Sequence, residues 1–482
     1  MTLAFWKKID LFNNKFSFLF PILLATLLFG QIFFLIIYHY LNISRPAFWV
    51  ASVLAVLLFA RICNDIKLFR PTWLDICMGA FFAFVLISLF MHGQYSYQFF
   101  FKNYIGFMVF PFIAGRLLHK DEFKPFILTI LFLTIVAAFI VSLGLFFIPE
   151  DEYNQDRIST LFWNYDSNFY GGIPTNIFAG FALAPLLILL HCPILKMRDS
   201  RFLYWLKLAA IFWCIWLLLI IAIRSAILSG LLFSIVAIVF FNYNNVKILL
   251  KKITILLSAT LFSLVMLPEE RTDFLLSSYG QLIQAVKKRS EYSSKNIEKE
   301  KPSTVPRVKL PEKSTLSNAE IPQSGVPKLK KFLPEMDCTT DCDSINVRYH
   351  LYLTALKMFK ENPVLGVGAN NYVVYLGETS QQLSPHNFTL YIFLELGTVG
   401  GGLYLSIVGG LFFYFVRNIN RNTQSPYKNS ISVIFLLWGG ILLIEQFSGN
   451  YFVTYQFYAM TGILISAYQR TLMSKQEILS NA

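Results

Sequence analysis

Long apolar stretches, separated by mostly short polar connections, dominate this chain. Twelve runs stand out, centred on residues 17–40, 46–60, 73–91, 99–117, 125–148, 175–192, 203–222, 226–241, 253–267, 387–415, 431–447 and 455–470. Runs of roughly 17–25 apolar residues mark transmembrane helices, because a helix satisfies its own backbone polar groups in lipid. The pattern predicts an all-α polytopic membrane protein with about twelve spans. The second, eighth and ninth runs are short, so their boundaries are the weakest. Residues 1–267 hold nine runs, with a short polar segment at 149–174. Residues 268–386 form one large loop between the ninth and tenth spans, and residues 387–482 carry three more spans and a tail.

Two parts of the large loop differ. Residues 284–335 are basic, with scattered Pro and Ser, and read as flexible; from Gln284 to Leu333 there are twelve Lys/Arg against five Asp/Glu. This stretch either attracts anionic lipid phosphates or is a plain solvated linker. Residues 344–362 read as a helical lid. An amphipathic helix is expected from Val347 to Glu361, with Leu351, Ala355, Leu356 and Phe359 apolar, ending before Pro363.

Composition agrees with the pattern. Hydrophobic residues make up 56% of 482 and charged residues 14%, with mean hydropathy +0.55. A soluble domain carries nearer a quarter charged. The basic residues fall on every second connection: Lys7, Lys8 and Lys15; Arg61, Lys67 and Arg70; Arg116, Lys120 and Lys124; Lys196, Arg198 and Arg201; Lys247, Lys251 and Lys252; Arg417, Arg421 and Lys428; Arg470 and Lys475. The positive-inside rule then puts both termini in the cytoplasm and the large loop outside. The net charge of +13 arises partly from these anchors and does not imply nucleic acid.

Cys338 and Cys342, in DCTTDC, lie together in the outward loop. A local disulfide suits an oxidising compartment; a metal site with Asp337, Asp341 or Asp343 is the other reading, but no histidine accompanies them at standard spacing. No Walker lysine, HExxH, GxSxG or dinucleotide fingerprint is present. The sequence therefore calls for no metal or cofactor.

The candidate chemistry sits where the large loop meets the tenth run, in LSPHNFTLYIFLELGTVGGG (383–402). His386 can accept a proton at neutral pH, although an interfacial histidine also serves as a polar anchor. Asn387 can hold a hydroxyl. Glu395, about two helical turns on, lies in an apolar run where a carboxylate needs a partner. Arg224 interrupts the apolar stretch 217–241 at its outward turn. Its guanidinium suits phosphate oxygens, or simply snorkels to the headgroups. Arg348 and Arg157 are further outward arginines, and three such groups could clamp a pyrophosphate.

These residues resemble the O-antigen ligase and polymerase superfamily of bacterial envelope enzymes. The resemblance rests on Arg224-Ser225, on Arg348 leading through Asn362-Pro363 to Gly366-Val-Gly-Ala-Asn-Asn-Tyr372, on His386-Asn387-Phe388, and on Leu394-Glu395-Leu396-Gly397 with Gly400. Arg157 and Asn176 are similar to a looser family feature. What the resemblance implies is a metal-independent inverting glycosyltransferase at the periplasmic face of the bacterial inner membrane. Its donor would be a glycan on undecaprenyl pyrophosphate, and its acceptor lipid A–core oligosaccharide or another repeat unit. His386, Arg224 and Arg348 would then be catalytic, and Asn387, Glu395, Arg157, Asn176, Asn370 and Tyr372 substrate-binding. The single large loop favours a ligase over a polymerase. A lipid-linked sugar transporter is the alternative from another class; it would place helix-breaking or charged sites near mid-membrane within a two-fold repeat, and neither stands out here.

Overall fold

The computed structural model describes residues 16–30, 33–34, 46–65, 70–92, 99–145, 175–191, 201–221, 224–242, 245–269, 272–273, 344–372, 387–419, 426–448 and 454–480. Among these residues the protein is helical and contains no strand. The helices are α1 (Leu19–Phe29), α2 (Pro46–Asp65), α3 (Trp73–Met91), a π-helical segment (Phe100–Val109) running into α4 (Phe110–Arg116), α5 (Phe123–Leu145), α6 (Thr175–His191), α7 (Arg201–Ile221), α8 (Arg224–Asn242), α9 (Val246–Val265), α10 (Ser344–Glu361), α11 (Phe388–Ile419), α12 (Pro426–Ser448) and α13 (Tyr455–Ser480). Among the described residues, each of the twelve apolar runs overlaps a helix. By length and composition, six of the helices can cross a membrane, and three shorter apolar stretches lie at 19–29, 230–239 and 430–446. The chain is a multi-pass membrane protein.

The second, eighth and ninth runs are longer as helices than as apolar stretches. The second reaches Asp65, and so takes Arg61 into the helix. The eighth starts at Arg224. The ninth starts at Val246, and Lys247, Lys251 and Lys252 belong to its first two turns instead of to the connection before it. Long basic side chains can lie along a helix while their heads reach toward water, so a lysine does not end a helix as it ends an apolar run.

Helices meet closely where side chains are small. α4 and α13 cross at Gly115 and Gly462, where an added Cβ would strike the Ala459 and Phe112 carbonyl oxygens. Small residues at crossings let backbones approach, which is how helices associate without a hydrophobic drive between them. α11 packs on α3, with Gly410 against the ring of Trp73.

Polar pairing concentrates at the two ends of the bundle. At one end Thr72 caps α3, with Asp75 returning the capping-box bond. Arg116 donates to Asp75 at 2.7 and 3.1 Å and to Gln469 at 2.5 Å. Arg61, 1% exposed, makes a two-pronged ion pair with Glu122, donates to the Leu117 carbonyl at 3.0 Å, and lies over the Phe20 ring. Arg470 donates to the Leu118 carbonyl. Arg61, Arg116 and Arg470, which the charge pattern assigns to one side, thus converge on one end. About 20 Å further along α3, Ser88 and His92 face the opposite end.

A buried ion pair broken from one side leaves an uncompensated charge. Arg61→Ala should therefore lower stability by about 3–5 kcal/mol, read as thermal unfolding of the purified protein in detergent. Arg61→Met combined with Glu122→Leu should recover most of that loss.

Candidate functional site

α11 is not a continuous helix. At Gly397 the backbone takes φ 63° and ψ −163°, a region that essentially only glycine enters. The break removes helical partners from carbonyls before it and N–H groups after it. The segment 362–372 supplies replacements. Val367 N–H donates to the Leu394 carbonyl at 3.0 Å, and Gly368 N–H to the Glu395 carbonyl at 2.9 Å. In return, Thr398 N–H donates to the Pro363 carbonyl at 2.8 Å and Val399 N–H to the Val364 carbonyl at 3.2 Å. Gly366 and Gly397 stand so close to the opposing backbone that an added Cβ at either would overlap it.

Glu395 is the side chain at the centre of this exchange. It is fully buried. Its Oε2 accepts the Asn370 N–H at 2.7 Å and its Oε1 the Tyr372 N–H at 3.0 Å. Asn370 sits at φ 61°, a left-handed conformation that asparagine tolerates better than most residues, and this turns its N–H toward the carboxylate. Hydrogen bonds to an ionised carboxylate are roughly twice as strong as neutral ones. Tyr391, one helical turn before Glu395, is buried against the same carboxylate and meets the Tyr372 ring edge-on at 5.9 Å. Burial and the Glu395 charge push the Tyr372 phenol above its ordinary range. It stays protonated and its hydroxyl reaches the Leu351 carbonyl on α10 at 3.4 Å.

α10 extends from Ser344 and ends at Glu361, before Pro363. It packs on α11. Leu351, Ala355 and Met358 are its buried stripe, while Leu356 is 45% exposed; the spacing i, i+4, i+7 selects one face. Phe359 meets Phe393 edge-on at 6.1 Å.

Asn387 is the N-cap of α11: its Oδ1 accepts the Leu390 N–H at 2.7 Å. Two residues on, Thr389 donates its N–H to Gln446 Oε1 at 3.3 Å and shares a hydroxyl contact with Tyr404. These three polar residues stand at one end of a cavity of about 370 Å³ between α8, α11 and α12. Its remaining wall is apolar, with Phe233 and Val236 from α8, Val408 and Phe412 from α11, and Trp438 from α12.

The expected site residues therefore divide into three groups. Asn370, Tyr372 and Glu395 are brought into direct contact, and Asn387 begins the helix that carries Glu395. Arg224 is the first residue of α8, Arg348 lies in the second turn of α10 and Asn176 in the first turn of α6. His386, Arg157, Cys338 and Cys342 lie outside the described residues. Sequence reasoning passed over Ser88 and His92. Ser88 accepts the Ala369 N–H at 2.9 Å, and the only hint of it was a polar end to the third apolar run.

A glutamine at 395 keeps a single acceptor oxygen, so one of two backbone N–H groups loses its partner. Glu395→Gln should destabilise the protein by about 1–3 kcal/mol and Glu395→Ala by more. Thermal unfolding in detergent measures both, and equal midpoints for wild type and Glu395→Ala would rule out this role.

No curated protein matches the chain. A family model described as O-antigen ligase matches residues 186–405, from within α6 to within α11. The match takes in Arg224, Arg348, the glycine loop and Glu395, and it leaves α3 outside. Over that segment the chain is similar to the O-antigen ligase family, and the match supports the superfamily that its motifs resemble.

Proposed function

We propose that this protein is an O-antigen ligase: a metal-independent inverting glycosyltransferase that moves a polysaccharide from undecaprenyl pyrophosphate to lipid A–core oligosaccharide. The observation that carries the reading is the broken helix α11, with the glycine loop bonded into its break and its capped start directly after His386. A helix interrupted within a membrane protein is tolerated where protein buries the freed backbone, and such breaks recur at binding sites.

The chemistry follows from the residue types. His386 takes the proton of the acceptor hydroxyl as its oxygen attacks the anomeric carbon. The bond from that carbon to the pyrophosphate oxygen breaks on the opposite face, which inverts the configuration. Undecaprenyl pyrophosphate leaves with the bonding pair, and Arg224 and Arg348 offset the charge it gains. Asn387 positions the acceptor. Glu395 acts through the loop: it holds Asn370 and Tyr372, and Arg157 and Asn176 complete the donor side. The donor is already activated, so the reaction needs no nucleotide site.

The apolar cavity beside α11 supports a lipid-linked donor. It begins at Thr389, which follows the proposed base closely in the chain, and continues among apolar side chains of three helices, one of which Arg224 begins. A polyprenyl tail fits that chemistry, with its charged head at the polar end. The charge pattern supports a bundle of about twelve spans, cytoplasmic termini and a site on the periplasmic face of the inner membrane. The unequal lengths of the two outward segments, 149–174 and 268–386, favour a ligase over a polymerase that joins repeat units.

His386→Ala should abolish glycan transfer in cells with no loss of folded protein, and normal transfer would remove the base assignment. Arg224→Lys should lower transfer at least about tenfold if the guanidinium binds phosphate with both prongs, and leave it unchanged if it only snorkels. Deleting the gene and running lipopolysaccharide on a gel separates the two acceptors. Lipid A–core without polymer, with undecaprenyl-linked polymer accumulating, is the ligase result; core bearing a single repeat unit is the polymerase result.

A further inference from the structure

Ser88 and His92 lie on and just after α3, outside the segment that the family model matches. Ser88 is 4% exposed. Serines and threonines in apolar helices bond back to the carbonyl four residues earlier, as Thr26, Thr134 and Ser142 do here. Ser88 does something further: its oxygen accepts the N–H of Ala369, 281 residues away in the chain, at 2.9 Å.

His92 closes the same corner. Its Nδ1 stands 2.9 Å from the Ser88 carbonyl oxygen. A carbonyl only accepts, so Nδ1 carries the proton and the ring orientation is set. The ring then forms a wall against Gly368, where φ is +99° and an added Cβ would lie 2.6 Å from Nδ1. Asn371, on the other side of the turn, donates its amide to the Val367 carbonyl at 2.8 Å.

Residues 368 and 369, fixed in this way, immediately precede Asn370, whose N–H holds Glu395. Gly368 itself bonds the Glu395 carbonyl at the helix break. α3 is thus the wall against which the loop is set. We propose that Ser88 and His92 are positioning residues for glycosyl transfer. They hold the glycine loop in register with the break in α11, and through Asn370, Tyr372 and Glu395 they set the first part of α11, which follows His386 in the chain. This inference rests on the transferase reading above. Neither residue touches a reacting atom.

The test uses the full-length protein in nanodiscs with Ser88→Ala, Ser88→Thr and His92→Ala. Amide hydrogen exchange of residues 366–372 needs no substrate. Ser88→Ala and His92→Ala should speed it about tenfold, with exchange around Arg61 and Arg116 unchanged, and Ser88→Thr should restore it. With a purified undecaprenyl-pyrophosphate-linked glycan and lipid A–core, both alanine variants should lower kcat about tenfold or more while KM stays within about twofold. Ser88→Thr, which keeps the hydroxyl, should recover kcat. Unchanged exchange in both alanine variants overturns the clamp. Faster exchange with unchanged kcat overturns the positioning role, as does failure of a folded Ser88→Thr to recover kcat. A wild-type protein that transfers no glycan refutes the transferase reading instead, and the exchange measurement still decides the clamp.

Discussion

A backbone polar group left unpaired in lipid costs several kcal/mol, and α11 contains a break that would strand several of them. The structure around Gly397 answers that constraint. Four backbone hydrogen bonds cross between the break and the segment 362–372, two donated in each direction. Neither part can be placed without the other: the helix supplies carbonyls that only the loop meets, and the loop lacks regular structure of its own. The carboxylate of Glu395 adds a second layer by holding two more loop N–H groups. The glycines follow from this closeness. Gly397 is needed for its backbone angles, and Gly368 for its angle and the ring of His92 beside it.

The same economy governs the ends of the bundle. Charged side chains inside a membrane protein must pair or reach water, and here they do both. Arg61 and Arg116 find Glu122 and Asp75 at one end, where bonds to the Leu117 and Leu118 carbonyls tie α2 and α13 to the turn after α4. At the other end, among the described residues, the groups that meet the glycine loop are backbone amides, the Ser88 hydroxyl and the Glu395 carboxylate. One end is therefore locked by ion pairs, while the other presents a loop held by weaker, numerous contacts. α3 joins the two, with its capping box at one end and Ser88 at the other.

What the sequence made legible follows from which signals survive folding. Apolar runs did, since lipid demands them over a fixed length, and each overlaps a helix among the described residues. Helix starts did not where Lys247, Lys251 and Lys252 occur, because a lysine reads as a loop residue but its long apolar stem costs a helix little. Glu395 stood out as a carboxylate in an apolar run, and the need for a partner was readable from that. Its partners were not, because backbone N–H groups carry no signature in a sequence. The break at Gly397 was hidden for a related reason: in LELGTVGGG the glycine that must leave the helix looks like those that only thin it. Ser88 was harder still, since a serine bonding back within its own helix looks the same as one that reaches across.

These blind spots share a cause that bears on where the site ends. Motifs identify residues whose side chains define a site, and they fall silent where a side chain serves the backbone of another element. Ser88 is of that kind: its role depends on Ala369, a residue with nothing in its side chain to mark it. The loop with its glycines lies within the matched segment, and the wall that holds it lies 281 residues earlier. A glycine loop free of that wall would have no fixed angle at Gly368 and no fixed direction for the Asn370 N–H. Glu395 would then be a buried carboxylate with mobile donors, which its burial makes costly. α3 is accordingly part of what fixes the loop's geometry, although it lies outside the segment that bears the recognisable residues.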